Sequence, residues 1–262
     1  MARRHRPTKD PYDKRVAVIG GTFSGNKGAA GMLESVIVNL GRRLPGRIRF
    51  DVLSVYPRRD RGRALPDNVR VVPAPPLMLI GVLPPVSLLY GILGAMRLPR
   101  RFLLAFRPLR AIVEADVLLD VSGISYVDGR SAALLYNVAC NLPAILVGTP
   151  LVKLSQALGP FRNPTNRAAA RLILPRARRI YARGKATEEH LASLGLANAA
   201  AAADLAFALN EHEPLPPLPD GLARIFRPGE LIVGVCPSEV LSRSCARRGI
   251  DLVGALAGAL DS

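Results

Sequence analysis

The sequence predicts an α/β fold: a doubly wound parallel sheet forming an N-terminal domain, followed by the start of a truncated second α/β domain. Short apolar runs alternate with longer stretches whose apolar residues recur at i, i+3 and i+4, the pattern of strands and helices taken in turn. The first apolar run leads at once into a glycine-rich turn and an amphipathic helix, as in a wound parallel sheet. Apolar residues make up 49% of the 262 positions, enough for a globular core and too many for a disordered chain.

In chain order, residues 15–20 read as a buried strand and residues 20–28 as a glycine turn. Residues 29–44 read as a helix, with Met32, Leu33, Val36, Ile37 and Leu40 on one face. Residues 47–55 alternate as a second strand, 57–67 form a charged loop, and 69–72 a third strand. Residues 71–96 contain no charge, and 26 positions are long enough to cross a bilayer. Pro73, Pro75 and Pro76 break the start and Pro84-Pro85 the middle, so no span is expected. In residues 97–110, Leu98, Phe102, Phe106 and Leu109 share a helical face among arginines. Such a helix can lie on an anionic membrane, or it can be a surface helix packed on its own domain.

Residues 116–121 form a strand ended by Ser122-Gly123. A helix over 130–141, a strand over 144–147 and an extended segment over 151–156 follow. Asn163-Pro164 starts a helix that stops before Pro175. Residues 179–183 are a strand, Thr187 caps a helix ending at Gly195, and 199–203 is a strand of small residues reaching Asp204. The domain division is then a basic flexible arm (1–14), a Rossmann-like domain (15–210), a Pro-rich linker (211–230) and the incomplete second domain (231–262). The last contributes a strand (231–236) and a helix (251–260), too little to bury a core alone.

Net charge is +16, with Arg far outnumbering Lys. A GC-rich coding sequence explains such a ratio; attraction to anions is the other reading. Nucleic acid is not expected, because aromatics are 5%, Trp is absent and no basic run is interleaved with stacking residues. The N-terminal residues lack the apolar stretch of a signal peptide. Cys140, Cys236 and Cys245 are spaced for neither a metal nor a redox motif and read as reduced thiols of a cytoplasmic protein. His5, His190 and His212 show no metal-ligand spacing, so no metal or other cofactor is expected. His190, beside Glu188 and Glu189, reads as solvated.

Open parallel sheets bind ligands outside the carboxyl ends of their strands. Gly20, Gly21, Gly25 and Gly28 expose backbone N–H groups there, and Lys27 adds a charge at a helix N-terminus; a tight turn is the plainer reading. The turn matches neither a Walker loop nor G-x-G-x-x-G. Asp120, Ser122, Ser125, Tyr126 and Asp128 carry oxygens suited to a sugar, although Asp120 can equally cap its own turn. Lys153, Ser155 and Gln156 interrupt an apolar strand. Arg183 ends a strand where it can hold a carboxylate or phosphate, or form a surface salt bridge.

These segments, GNKGAAGML (25–33), DVSGISYVDG (120–129), KLSQALGPF (153–161), RIYARG (179–184) with TEEHL (187–191), and ADLAF (203–207), together resemble the polysaccharide pyruvyl transferase family over about residues 15 to 240. The resemblance implies a two-domain fold like that of GT-B glycosyltransferases. It implies transfer of a pyruvyl group from phosphoenolpyruvate to a sugar hydroxyl of a cell-surface polysaccharide, free or lipid-linked, to form a ketal. It also implies substrate contacts at Asn26 and Lys27, with Gln156 lining the cleft floor and Arg183 holding an anion; Gly25, Ser122 and Gly123 join the substrate-binding set from the two strand-end loops they occupy. The family turn usually carries an acidic residue where Ala30 stands. Family members continue through a full second domain bearing a catalytic histidine; this chain is expected to be incomplete, and its catalytic acid is not assigned. The alternatives are a GT-B glycosyltransferase using a nucleotide sugar, and a non-catalytic remnant that binds glycan or membrane.

Overall fold

The computed structural model describes residues 11–209, 221, 229 and 239–260. Residues 1–211 and 212–262 form separate compact units. The first unit is built on one sheet of eight strands: β1 (Lys14–Ile19), β2 (Ile48–Ser54), β3 (Val69–Pro73), β4 (Val117–Asp120), β5 (Ile124–Ser125), β6 (Leu151–Leu158), β7 (Arg179–Arg183) and β8 (Ala199–Ala202). Their order is β3-β2-β1-β4-β6-β7-β8, with β5 beside β6. Every pairing is parallel. The predicted doubly wound sheet is therefore the fold of this unit.

Period-two alternation sends the strand side chains to two cores. Val16 and Val18 of β1 join Phe50 and Val52 of β2 against Leu33, Val36 and Ile37 of α1 (Lys27–Arg43). Ala17 and Ile19 face the larger core with Leu118, Leu151 and Ile180. Four further helices supply that side: α3 (Leu83–Ala95), α4 (Arg107–Glu114), α5 (Ser131–Val147) and α6 (Pro164–Ile173). Leu191 of α7 (Lys185–Ala192) lies in it too, whereas the five-residue α2 (Pro57–Arg61) sits inside the expected charged loop. The second unit holds α8 (Glu239–Arg247) and α9 (Leu252–Leu260). The expected strand at 231–236, residues 1–10 of the arm and most of the linker lie outside the described residues.

The structure corrects four local expectations. Residues 144–147 are not a strand: α5 runs through Pro143 to Gly148, whose φ of +75° closes the helix. A four-residue apolar run carries no period of its own, and Ala139, Cys140 and Ala144 all enter the core from one helical face. Pro84 and Pro85 do not break the apolar stretch: a π-helical turn (Met78–Val82) leads directly into α3, and the prolines fall in α3's first turn, where the local change of helix type accommodates them. The run Met78–Ala95 is one helix long and apolar enough, by length and composition, to cross a membrane. Its Leu79, Leu83, Ser87 and Tyr90 are buried against the domain.

The predicted helix over 97–110 is two pieces, a 3-10 turn (Arg101–Ala105) and α4, separated by an extended Phe106 that precedes Pro108. Phe102 is 65% exposed and Leu109 fully buried, so they do not share a face. Finally, α7 begins at Lys185 after Gly184, and Thr187 is its buried third residue, donating to the Arg183 carbonyl at 2.9 Å.

Candidate functional site

The strand order reverses between β1 and β4: the chain winds from β1 outward through β2 to β3, then returns to β4 and proceeds the other way to β8. At such a reversal the two following connections diverge and leave a crevice above the carboxyl ends. The register puts Ile19 beside Asp120 and Asp120 beside Lys153, so the ends of β1, β4 and β6 form one floor.

The turn after β1 lies directly against the β4 loop. A Cβ on Gly20 would stand 2.1 Å from Ser122 Oγ and 2.8 Å from Asp120 Oδ1, and its φ is +80°. Gly25 passes over the Tyr56 ring, and Asn26 caps α1 by accepting the Ala29 N–H at 3.2 Å. Gly25, Asn26 and Lys27 are exposed at the start of a helix that has no acidic residue in its first turn. This is an electropositive rim.

Ser122 is nearly buried, and its N–H donates to Asp120 Oδ1 at 3.0 Å. Gly123 joins two directions: its carbonyl accepts from Arg183 Nη2 at 2.9 Å and from the Ala157 N–H at 3.0 Å. Arg183, at the end of β7, also contacts Asp204 Oδ2 at 2.5 Å. The guanidinium expected to hold a ligand anion is thus answered by Asp204 and braces the ends of β4, β7 and β8. Gln156 was expected on the cleft floor and lies beneath it. It is fully buried, accepts from Ser125 Oγ at 2.6 Å, and donates to the Asp120 carbonyl at 2.7 Å.

Under the rim sits a closed polar cluster. Lys153 Nζ contacts Asp120 Oδ2 at 2.5 Å and Asn141 Oδ1 at 3.0 Å. Asn141 Nδ2 donates to Asp120 Oδ2 at 2.7 Å, and the Tyr126 hydroxyl donates to Asn141 Oδ1 at 3.0 Å. Burial by itself raises the Asp120 carboxyl. The Lys153 charge and the hydrogen bonds from Lys153, Ser122 and Asn141 outweigh it, holding Asp120 below the usual carboxylate range. Burial first, and the Asp120 charge second, push the Tyr126 phenol well up, so it stays a protonated donor.

Sequence reasoning singled out Asp120, Tyr126 and Lys153 without joining them, and missed Asn141 and Asp204. The signal was available: a lysine inside an apolar strand requires a buried counter-charge. Asp128 serves the start of α6, accepting the Arg162 and Asn163 N–H groups at 2.6 and 3.2 Å and Asn166 Nδ2 at 2.8 Å. His190, expected to be solvated, is only partly exposed. Its Nδ1 lies 3.0 Å from the Leu158 carbonyl oxygen and its ring meets Phe161 edge-on.

Tyr126 (φ +51°), Ser155 (φ +49°) and Phe161 (φ +63°) hold left-handed backbone without being glycine, all in or just after the strands around this crevice. Ser155 sits where the β6–β7 register shifts, and its hydroxyl donates to the Ala203 carbonyl at 2.7 Å and accepts the Leu205 N–H at 3.1 Å. Non-glycine residues in this region are costly and cluster at functional sites. Among the described residues, no group of three His, Cys, Asp or Glu side chains is placed to hold a metal ion. The arrangement can accept an anion at the α1 rim. The Ser125 and Tyr126 hydroxyls, expected to face a sugar, are instead buried and bonded to Gln156 and Asn141, and Ser122 is buried too.

No curated protein matches the chain. The family model for polysaccharide pyruvyl transferase matches residues 6–248, a span that contains every strand of the sheet and all the loops that shape the crevice, and the chain belongs to that family.

Proposed function

We propose that this protein transfers the pyruvyl group of phosphoenolpyruvate to a sugar of a cell-surface polysaccharide, free or lipid-linked, forming a ketal. The observation that carries the reading is the α1 rim, Gly25 to Lys27, set over the strand reversal in a chain of this family. The donor bears a phosphate and a carboxylate, and exposed N–H groups at a helix start with an adjacent ammonium suit either. The reaction needs a proton delivered to the donor's methylene carbon, making it a methyl. A sugar hydroxyl adds to the resulting cationic carbon and gives up its proton. Phosphate then leaves as a second hydroxyl closes the ketal, and that hydroxyl's proton departs with it.

The partly exposed backbone around Gly123 and Ile124 in the β4 loop is the acceptor side of this reading, whereas Gln156 and Arg183 position the loop. The test is incubation with phosphoenolpyruvate and candidate acceptor glycans, following phosphate release and the ketal methyl signal by proton NMR. The reading predicts equal amounts of both. Phosphate release without a ketal methyl in the glycan overturns it.

The same reading places the protein in the cytoplasm, at the inner face of the membrane where lipid-linked acceptors are built. Val82, Leu88, Leu89 and Ile92 are exposed along the helix that ends at Ala95, and Met96, Leu98 and Phe102 follow. From Asn68 to Val113 the sequence has no acidic residue, whereas Arg97, Arg100 and Arg101 lie among these side chains. An apolar strip edged by arginines is complementary to an anionic bilayer surface.

A further inference from the structure

A second arginine-lined site lies at the far edge of the sheet. β3 is the edge strand, and a cavity of about 560 Å³ runs along its open side, walled by Arg61, Arg63, Arg70, Arg107 and Arg110 with apolar surface from Leu65 to Pro73. No acidic side chain lines it. Arg70 is satisfied: its Nε and Nη2 hold Asp51 at 2.8 and 3.0 Å. The other four arginines make no ion pair among the described residues. Arg61 donates to the Val71 carbonyl at 3.4 Å and Arg63 to the Phe23 carbonyl, bonds that orient a guanidinium without neutralising it.

The strand adds a donor. Asn68 and Ser54 carbonyls bond across β2 and β3, so the even residues of β3 face β2 and the odd ones face outward. Val71 therefore turns its N–H, like the carbonyl taken by Arg61, to the open edge. Pro73 has no N–H to expose, as suits an edge strand.

We propose that this cavity binds a diphosphate-bearing ligand, at a site separate from the crevice over the strand reversal. Four guanidinium groups lining one cavity without counter-charge match the charge and planar oxygen geometry of a diphosphate. The volume is that of a small-molecule site, and the apolar wall accepts an organic body beyond the phosphates. The four arginines come from the α2 end, the loop after it and α4, brought to one edge strand by the fold.

The test is isothermal titration of the full chain with inorganic pyrophosphate and with uridine diphosphate, at constant ionic strength. Arg107→Ala with Arg110→Ala should weaken binding roughly tenfold or more. Arg61→Ala, on a separate element, should weaken it independently and guards against a folding defect in the double variant. An equal-charge control, Arg167→Ala with Arg171→Ala on the exposed side of α6, should leave it within about twofold. Lys27→Ala should also leave it unchanged, which separates this site from the pyruvyl transfer reading. Tighter binding of the nucleotide than of pyrophosphate assigns the site to soluble diphosphates. Displacement of pyrophosphate by vesicles carrying a prenyl diphosphate, but not by the same vesicles without it, assigns it to lipid-borne diphosphates. No binding by the wild type, or equal loss in the α6 control, overturns the proposal.

Discussion

Lys153 and Asp120 face each other across neighbouring strands at 2.5 Å, and neither side chain is more than 1% exposed. Two opposite charges withdrawn from water persist only when every remaining valence is met. Asn141 and Tyr126 complete the lysine side, and the Ser122 N–H completes the carboxylate. The pair therefore fixes the β4 and β6 ends together beneath the crevice.

Removing one partner is expected to cost far more than removing both. Lys153→Met should lower stability by about 3–5 kcal/mol, because a buried carboxylate is left alone. Lys153→Met with Asp120→Leu should recover part of that loss. Urea unfolding of the two variants decides it; a single variant as stable as the wild type would show that the pair contributes nothing.

The same pair predicts an acid-side pH dependence. Asp120 titrates lower in the folded chain than its ordinary 3.8. Its contribution is fully present above that ordinary value, because the folded state binds fewer protons than the unfolded state wherever the two differ. It is lost as pH falls from about 3.8 through the lower folded value. A wild-type stability curve should drop across that window, and Asp120→Asn should flatten this part of the drop. An unchanged slope in the variant would refute the assignment.

Gly20 and Gly129 separate steric contact from backbone strain. Both have φ near +80°, but an added Cβ meets Ser122 at Gly20 and nothing within 4 Å at Gly129. Gly129→Ala should cost about 1–2 kcal/mol, the price of left-handed backbone for alanine. Gly20→Ala should cost more and should disturb the β4 loop. Equal losses by thermal or urea unfolding would mean that the turn yields without moving Ser122.

Arg183→Met should loosen the β4 loop and the turn after β8, since it removes the bonds to Gly123 and Asp204 together. Both ion-pair partners are about a quarter exposed (26% and 28%), so the stability loss should be small, about 1 kcal/mol. Faster amide exchange at residues 121–125 and 203–207 is the diagnostic readout. Under pyruvyl transfer, Lys27→Ala should instead raise the KM for phosphoenolpyruvate roughly tenfold and leave exchange unaltered.

Flotation with vesicles containing phosphatidylglycerol tests the helix face ending at Ala95. Wild type should float at low salt and be released at high salt. Leu89→Ser with Ile92→Ser should reduce flotation, and Arg97→Glu with Arg101→Glu should abolish it. Flotation that survives both changes places the contact elsewhere.

Much of the sheet was legible because apolar runs bounded by glycine, proline and asparagine set the strands and several caps. Asn163 does cap α6, accepting the Thr165 and Asn166 N–H groups. Where reading failed, local signals were ambiguous. Residues 144–147 look the same as strand or helix until the core shows which face is buried. Pro84 and Pro85 look like helix breakers, but they follow a π-turn at the start of α3, a change of helix type the sequence does not announce. Phe102 and Leu109 share a face only if one helix joins them, and the extended Phe106 prevents it.

Alternating hydrophobicity and turn chemistry are encoded over a few residues, so the α/β class, the glycine turn and the family pattern could be read from the chain itself. The partners of charged groups are set by contacts between segments far apart in sequence. Asp204 reaches Arg183 across 21 positions and Lys153 reaches Asp120 across 33, distances over which no local rule carries information. Only packing of the parallel strands decided that Arg183 and Gln156 are braces within the domain, and that Arg107 and Arg110 stand beside Arg61 at the sheet's edge.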